Sequence, residues 1–302
     1  MKKTLAIVLA LLMAASLIAF TACGKKETVT DDSDNKDVQN EQNVGENAST
    51  DDQNASTDDQ NAGDETKADS DLAYVTDKGT LVVGITEYAP MNYQEDGQWT
   101  GFDTEFAEAV AAKLGVKVEF VEIDWDNKVF ELNSKAIDCV WNGMTLTNEV
   151  LSSMNCSKPY VVNAQVLVMN KDKIADYTTV ESLKDLTFVA EAGSAGAAAI
   201  TDAGYTATEV STQADALMEV AAGAEDACVI DITMANAMTG EGTNYAGLTY
   251  GLSLTSEEYG IGFRKDSDLA EKVNGIIDEL NKDGTLPALA EKYALTLALD
   301  AE

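Results

Sequence analysis

The sequence predicts an α/β fold in two lobes, each a sheet flanked by helices, and two observations carry that prediction. From Leu72 onward, short apolar strands alternate with amphipathic helices. About 230 residues in this texture exceed what one small core usually organises.

The elements follow in order. Leu81, Val82, Val83, Gly84 and Ile85 read as a strand ending at a turn. Asp103 is expected to cap a helix that carries Phe106, Val110 and Leu114 on one face, with Gly115 as its stop. Val116, Val118 and Phe120 alternate as the next strand, and residues 137–141 form another after a short helix. Residues 166–168, 187–190 and 227–230 read as short buried strands between helical stretches. Residues 269–280 make a late amphipathic helix, which Asp283-Gly284 breaks before a last helical segment at 286–293.

The first seventy residues have a different texture. Lys2 and Lys3 precede an apolar stretch over residues 5–20, then small residues and Cys23, the layout of an export signal and not of a stop-transfer helix. Phe20-Thr21-Ala22-Cys23 resembles the bacterial lipoprotein signal, so residues 1–22 read as a signal peptide and Cys23 as the lipidated first residue of the mature chain. Phe20 stands where Leu is usual, and the alternative is an ordinary secretory signal with a nearby cysteine. Two or more acyl chains would hold such a protein stably on a bilayer, whereas one binds marginally. Residues 23–71 are expected to form a disordered acidic tether, because too few apolar side chains are present to offset the entropy of ordering. A seven-residue repeat from Asn47 to Gln60 lacks apolar a and d positions and is no coiled coil. As a flexible chain the tether spans roughly 35 to 40 Å.

Composition excludes several functions. The 302 residues include 20 Lys plus Arg, 53 Asp plus Glu and no His, a net charge of -33. That charge repels phosphate backbones, so no nucleic-acid partner is expected. Without histidine there is neither a Ser-His-Asp triad nor a histidine-ligated metal. Cys23, Cys139, Cys156 and Cys228 show no C-x-x-C spacing, and no metal or cofactor is expected. The three later cysteines read as buried small hydrophobes, with a Cys139 to Cys156 bridge as the alternative.

The order of several short motifs carries a resemblance. Gly84 with Tyr88-Ala89-Pro90, Trp99-Thr100-Gly101-Phe102-Asp103, Trp125-Asp126, Ile137-Asp138, Asn142-Gly143-Met144-Thr145-Leu146-Thr147 and Ser157-Lys158-Pro159-Tyr160 come first. Glu191-Ala192-Gly193-Ser194, the run from Asp226 to Asp231, the run from Tyr259 to Lys265 and Asp283-Gly284-Thr285-Leu286 complete the series. Together they are similar to the polar amino-acid class of extracellular solute-binding proteins, across residues 72–295. The resemblance implies a type 2 periplasmic-binding fold with one lobe from 72–163 plus 255–302 and the other from 164–254. A two-strand hinge would lie near 161–164 and 253–258. It also implies a monomeric, membrane-tethered binding protein on the outer face of the bacterial membrane, not an enzyme. Such a protein would deliver an amino acid or related small polar solute to the separate permease and ATPase chains of an ABC importer. The alternatives are a cleft-carboxylate enzyme on the same fold and a sensor module for a membrane receptor.

The resemblance also places the site. Asp231 stands where relatives hold the ligand ammonium; read from the residues alone, it equally suits the N-cap of a helix over 232–238. Tyr88 and Trp125 occupy the aromatic-wall positions, or else cover core beside turns. Trp141 reads as core. Asn142, Gly143 and Thr145 offer donors on one side, and Ser194 and Ala195, opening a helix, offer an anion seat on the other. Relatives carry a carboxylate-binding Arg where this chain has Val150. Arg264, the only arginine, is expected to face solvent. Glu87, Asp124, Asp126 and Glu191 are further acids, either solvated or lining the site, and they leave a cationic amine as the alternative ligand.

Overall fold

The computed structural model describes residues 70–299. The expected signal peptide, Cys23 and nearly all of the tether lie outside the described residues. Among the described residues no helix is long and apolar enough to cross a membrane.

Ser70 opens the described chain as the cap of α1 (Asp71–Lys78), its hydroxyl accepting the Ala73 amide proton, and a left-handed Gly79 closes that helix. β1 (Thr80–Ile85), the hairpin β2 (Tyr93–Glu95) and β3 (Gln98–Thr100), α2 (Phe102–Leu114) and β4 (Lys117–Glu122) follow. Then come α3 (Lys128–Asn133), β5 (Cys139–Thr145), α4 (Asn148–Ser153), β6 (Asn155–Cys156) and β7 (Val161–Asn163). The second run holds β8 (Gln165–Asn170), β9 (Phe188–Glu191), α5 (Ala195–Asp202), β10 (Ala207–Val210), α6 (Gln213–Ala222), β11 (Ala227–Asp231), α7 (Ile232–Met238) and β12 (Leu248–Ser253). The chain returns through β13 (Glu257–Phe263), α8 (Leu269–Lys282) and α9 (Thr285–Lys292).

These strands make two main sheets. One has the order β4-β1-β5-β13-β6, with β7 also paired to β13; the other has the order β10-β9-β11-β8-β12. β1 is parallel to β4 and β5, and β9 is parallel to β10 and β11. The antiparallel strands β13 and β8 complete each sheet, placing Tyr259 opposite Thr145 and Asp231 opposite Gln165. The chain passes between the sheets at β7 to β8 and at β12 to β13, and Glu257 pairs with Asn163, so the two crossings lie side by side as a two-strand hinge. The carboxyl ends of β5, β9 and β11 bring Thr145, Glu191 and Asp231 to the lining of one cavity, the usual place for ligands in open α/β sheets.

Strands β5 and β11 are buried along their whole lengths, as strands covered by helices on both faces must be. Trp141 is fully buried and packs edge-on against Phe106, its ring centroid 4.8 Å away, in agreement with its reading as core. Cys139, Cys156 and Cys228 are free thiols.

Two expectations are corrected. Asp103 does not cap α2: Gly101 occupies that position, at a φ of 118° where an added Cβ would lie 2.3 Å from the Met91 carbonyl oxygen. The Asp103 carboxylate turns inward instead, accepting from the Gly143 amide at 2.6 Å and the Tyr160 hydroxyl at 2.9 Å. Arg264 does not face solvent. It is only 9% exposed and donates to Asp71 Oδ2 at 2.8 Å and to the carbonyls of Leu132 and Ile137. A guanidinium has enough donors to serve a carboxylate and loop carbonyls together, and this one ties α1 to the end of β13. Asp71, placed at the end of the tether by sequence, is thereby part of the folded body.

Candidate functional site

β11 ends on Asp231, and α7 begins at the next residue. Asp231 holds the N-cap position, yet its side chain makes no capping bond. Its carboxylate accepts instead from Gln165 Nε2 at 2.9 Å, Gln213 Nε2 at 2.6 Å, Tyr259 Oη at 2.8 Å and Asn163 Nδ2. Glu257, from the second crossing, accepts from the same two hinge amides, Asn163 Nδ2 and Gln165 Nε2, each at 2.7 Å. Among the described residues no Lys or Arg lies within 4.0 Å of either acid. Burial pushes the Asp231 carboxyl up to about 7, the Glu257 charge adds to the rise, and the donated hydrogen bonds oppose it.

Glu191, at the end of β9, is 3% exposed, and its Oε1 has no hydrogen-bond partner in the protein. Burial first and the Asp231 charge second lift its carboxyl, against the opposing charge of Lys128, to about 8. Two acids with raised proton affinity therefore stand where a positive charge would relieve both.

The first sheet's loops make the facing wall. Trp125, Lys128, Thr145 and Val150 line a cavity of about 640 Å³ together with Glu191, Ser194, Ala195, Gln213 and Asp231. That volume lies within the range of small-molecule sites. Lys128 Nζ sits 4.9 Å from the Trp125 ring centroid and crosses to the Gly193 carbonyl at 2.9 Å. Gly193 itself has a φ of 66°, and a Cβ there would lie 2.7 Å from Asp126 Oδ1, so only glycine lets the two walls approach this closely.

Of the residues expected at the site, Trp125, Asn142, Gly143, Thr145, Ser194, Ala195 and Asp231 all line this cavity, whereas Tyr88 does not. The Tyr88 ring is buried under Gly143, and its hydroxyl lies 2.5 Å from both Thr233 Oγ1 and Tyr259 Oη, in the floor behind Asp231. The donors expected from β5 are already engaged. Asn142 Nδ2 donates to the Thr86 carbonyl, the Gly143 amide serves Asp103, and the Thr145 hydroxyl donates to Glu257 Oε1 at 2.8 Å. Ser194 caps α5 by accepting the Ala197 amide proton, which leaves its own hydroxyl proton to give. Val150 packs in the apolar cluster of Trp125, Leu132 and Met144. Asp126 and Glu191 line the cavity; Glu87 and Asp124 do not.

Sequence reasoning missed Asn163, Gln165, Gln213, Glu257 and Lys128. The signal for the first two was present: Asn163 and Gln165 are polar interruptions of an apolar run at a predicted crossing. A second cavity of about 480 Å³ is lined by Asn163, Ile232 and Thr255 among others, and its lining contains neither a carboxylate nor an ammonium, so it offers a charged solute no countercharge.

The sequence profile of the bacterial extracellular solute-binding proteins, family 3, matches residues 81–296. The chain belongs to that family. Among similar proteins, the probable amino-acid-binding protein YxeM of Bacillus subtilis is 34% identical over 225 residues, which cover 72% of this chain and 84% of that one. The L-cystine-binding protein TcyJ of Escherichia coli is 31% identical over 225 residues, with the same shares. Among solved structures, an ancestral arginine-binding protein bound to arginine is 34% identical with a TM-score of 0.66, covering 71% of this chain and 98% of that one. The two-lobed fold with its hinge is thus the fold of this solute-binding family.

Proposed function

We propose that this family 3 protein binds an amino acid or a closely related small polar solute between its lobes and presents it to an ABC importer. The observation that carries the reading is the pair of buried acids, Asp231 and Glu191, at the carboxyl ends of neighbouring strands with no cation at salt-bridge distance among the described residues. A ligand ammonium placed there would be held by charge-assisted hydrogen bonds in a low-dielectric site. Asp231 is its principal partner, Trp125 walls the solute, and the Ser194 hydroxyl with the amide of Ala195 receives its negative end. Asn142, Gly143 and Thr145 shape the facing wall more than they donate. Tyr88 supports the floor through Tyr259.

The strand composition of the two sheets supports lobes of 72–163 with 255–302 and of 164–254. Opening and closing about the hinge would present a different face to the permease when loaded. Export and a lipid on Cys23 would keep the protein on the outer face of the membrane, and the permease and ATPase are separate chains. We read the protein as a binder and not an enzyme. Glu191 meets one condition of the enzyme reading, a carboxyl of raised proton affinity in the cavity. Recovery of each bound solute chemically unaltered after incubation is the expected outcome, and conversion of any would establish turnover. Calorimetric titration against amino acids and matched amines tests the binding reading: binding of amino acids is expected, and binding of amines alone would remove the carboxylate half.

A further inference from the structure

The cavity has a charge layout that goes beyond an ammonium site. Its acidic end is contributed by the second sheet, through Asp231 and Glu191. The other wall holds one cation: among the described residues, Lys128 is the only Lys or Arg in the lining. Two of its acceptors are the carbonyls of Trp125, at 3.1 Å, and Gly193, at 2.9 Å. Asp126, Glu149 and Glu191 act on it electrostatically, but no carboxylate lies within 4.0 Å of its Nζ among the described residues. An ammonium carries three donors, so one remains for a ligand. The Gly193 carbonyl holds that ammonium beside Ser194, whose hydroxyl proton is uncommitted, and beside the first turn of α5.

The rest of this wall offers no charged donor. Position 150 is an apolar valine, and the nearby β5 donors are spent on Asp103, Glu257 and Thr86. Asp126 and Glu149 also line this wall, so Lys128 is the one group on it that a solute's negative end can approach with opposite charge.

We propose that Lys128 receives the carboxylate of the bound solute, together with Ser194, from the wall facing Asp231, and so selects amino acids over the corresponding amines. The inference rests on the solute-binding reading above. It also assigns a consequence to Val150: the positive charge enters from α3 and not from α4.

The test compares wild type, K128M and K128R by calorimetric titration with L-arginine against agmatine, L-histidine against histamine, L-cystine against cystamine and L-lysine against cadaverine. Methionine keeps an unbranched stem over Trp125 without the charge. For whichever amino acid the wild type binds, K128M is expected to weaken binding by about 10- to 100-fold, the usual worth of a charge-assisted hydrogen bond. The paired amine is expected to change by less than about threefold, and K128R is expected to restore most of the loss. Retained amine binding by K128M also establishes that the variant is folded. Equal losses for acid and amine would make Lys128 a latch between the lobes and overturn the inference, as would no loss for either. A wild type that binds amines and rejects the acids would overturn it while leaving the solute-binding reading intact. Binding of no member of any pair would overturn both.

Discussion

At the scale of the residue, the site is built from acids held by amides. Asp231 and Glu257 share the Asn163 and Gln165 side chains, so the cluster is polar and satisfied on one side but not neutralised. Protons and ligand cations therefore compete for Asp231 and Glu191. As pH falls through about 8 and then 7, these carboxyls protonate, and affinity for an ammonium-bearing solute drops with them. We expect binding at pH 6 to be roughly tenfold weaker than at pH 8, measured by titration at constant ionic strength. Stability of the ligand-free protein runs the other way. Folded-state values raised from 3.8 and 4.5 mean that the native state binds more protons than the unfolded chain, so stability falls as pH rises from about 4 to about 8 and is level above that. E191Q removes one of the two charges, and its melting temperature at pH 8 is expected to exceed that of the wild type by about 2 to 4 °C. Asp231 itself was legible as an acid at the end of a buried strand. Asn163 and Gln165 showed only as polar breaks in an apolar run, and Gln213, Glu257 and Lys128 gave no local signal, because each matters through a partner distant in sequence: Glu257 meets Asn163 only once the two crossings pair.

At the scale of the element, glycines and buried ions fix the parts that carry the site. Gly143 lies in β5 at a φ of 54°, and a Cβ there would lie 2.6 Å from the Tyr88 ring and 3.2 Å from the Tyr259 ring. G143A is expected to lower unfolding free energy by about 2 to 4 kcal/mol, through strain and overpacking together, as read from urea denaturation. The ion pair that ties α1 to β13 is the second such element. R264M leaves Asp71 and two carbonyls without their donor, and a loss of about 3 kcal/mol is expected in the same assay. Strands and helices were legible because their apolar spacing is local: the predicted late helix at 269–280 is α8, and the predicted strand at 227–230 is β11. The roles of Asp103 and Arg264 were hidden because local rules describe an acid near a helix start as a cap and a lone Arg as solvated. Their partners, Gly143 and Asp71, are 40 and 193 positions away.

At the scale of the molecule, two sheets joined by a paired crossing place Asp231 and Glu191 opposite a wall whose one cation, Lys128, stands beside Asp126 and Glu149. Lys128 and Gly193 already touch across the cavity, so a bound solute would add to contacts that the lobes make with each other. The central claim is that the positive end of the solute rests on Asp231. The measurement that tests it most directly is titration of wild type and D231N, at pH 8, with an amino acid that the wild type binds. Asn keeps the shape and two of the acceptor directions but not the charge, so the account predicts at least about a hundredfold weaker binding by D231N. Binding within about threefold of wild type would contradict it.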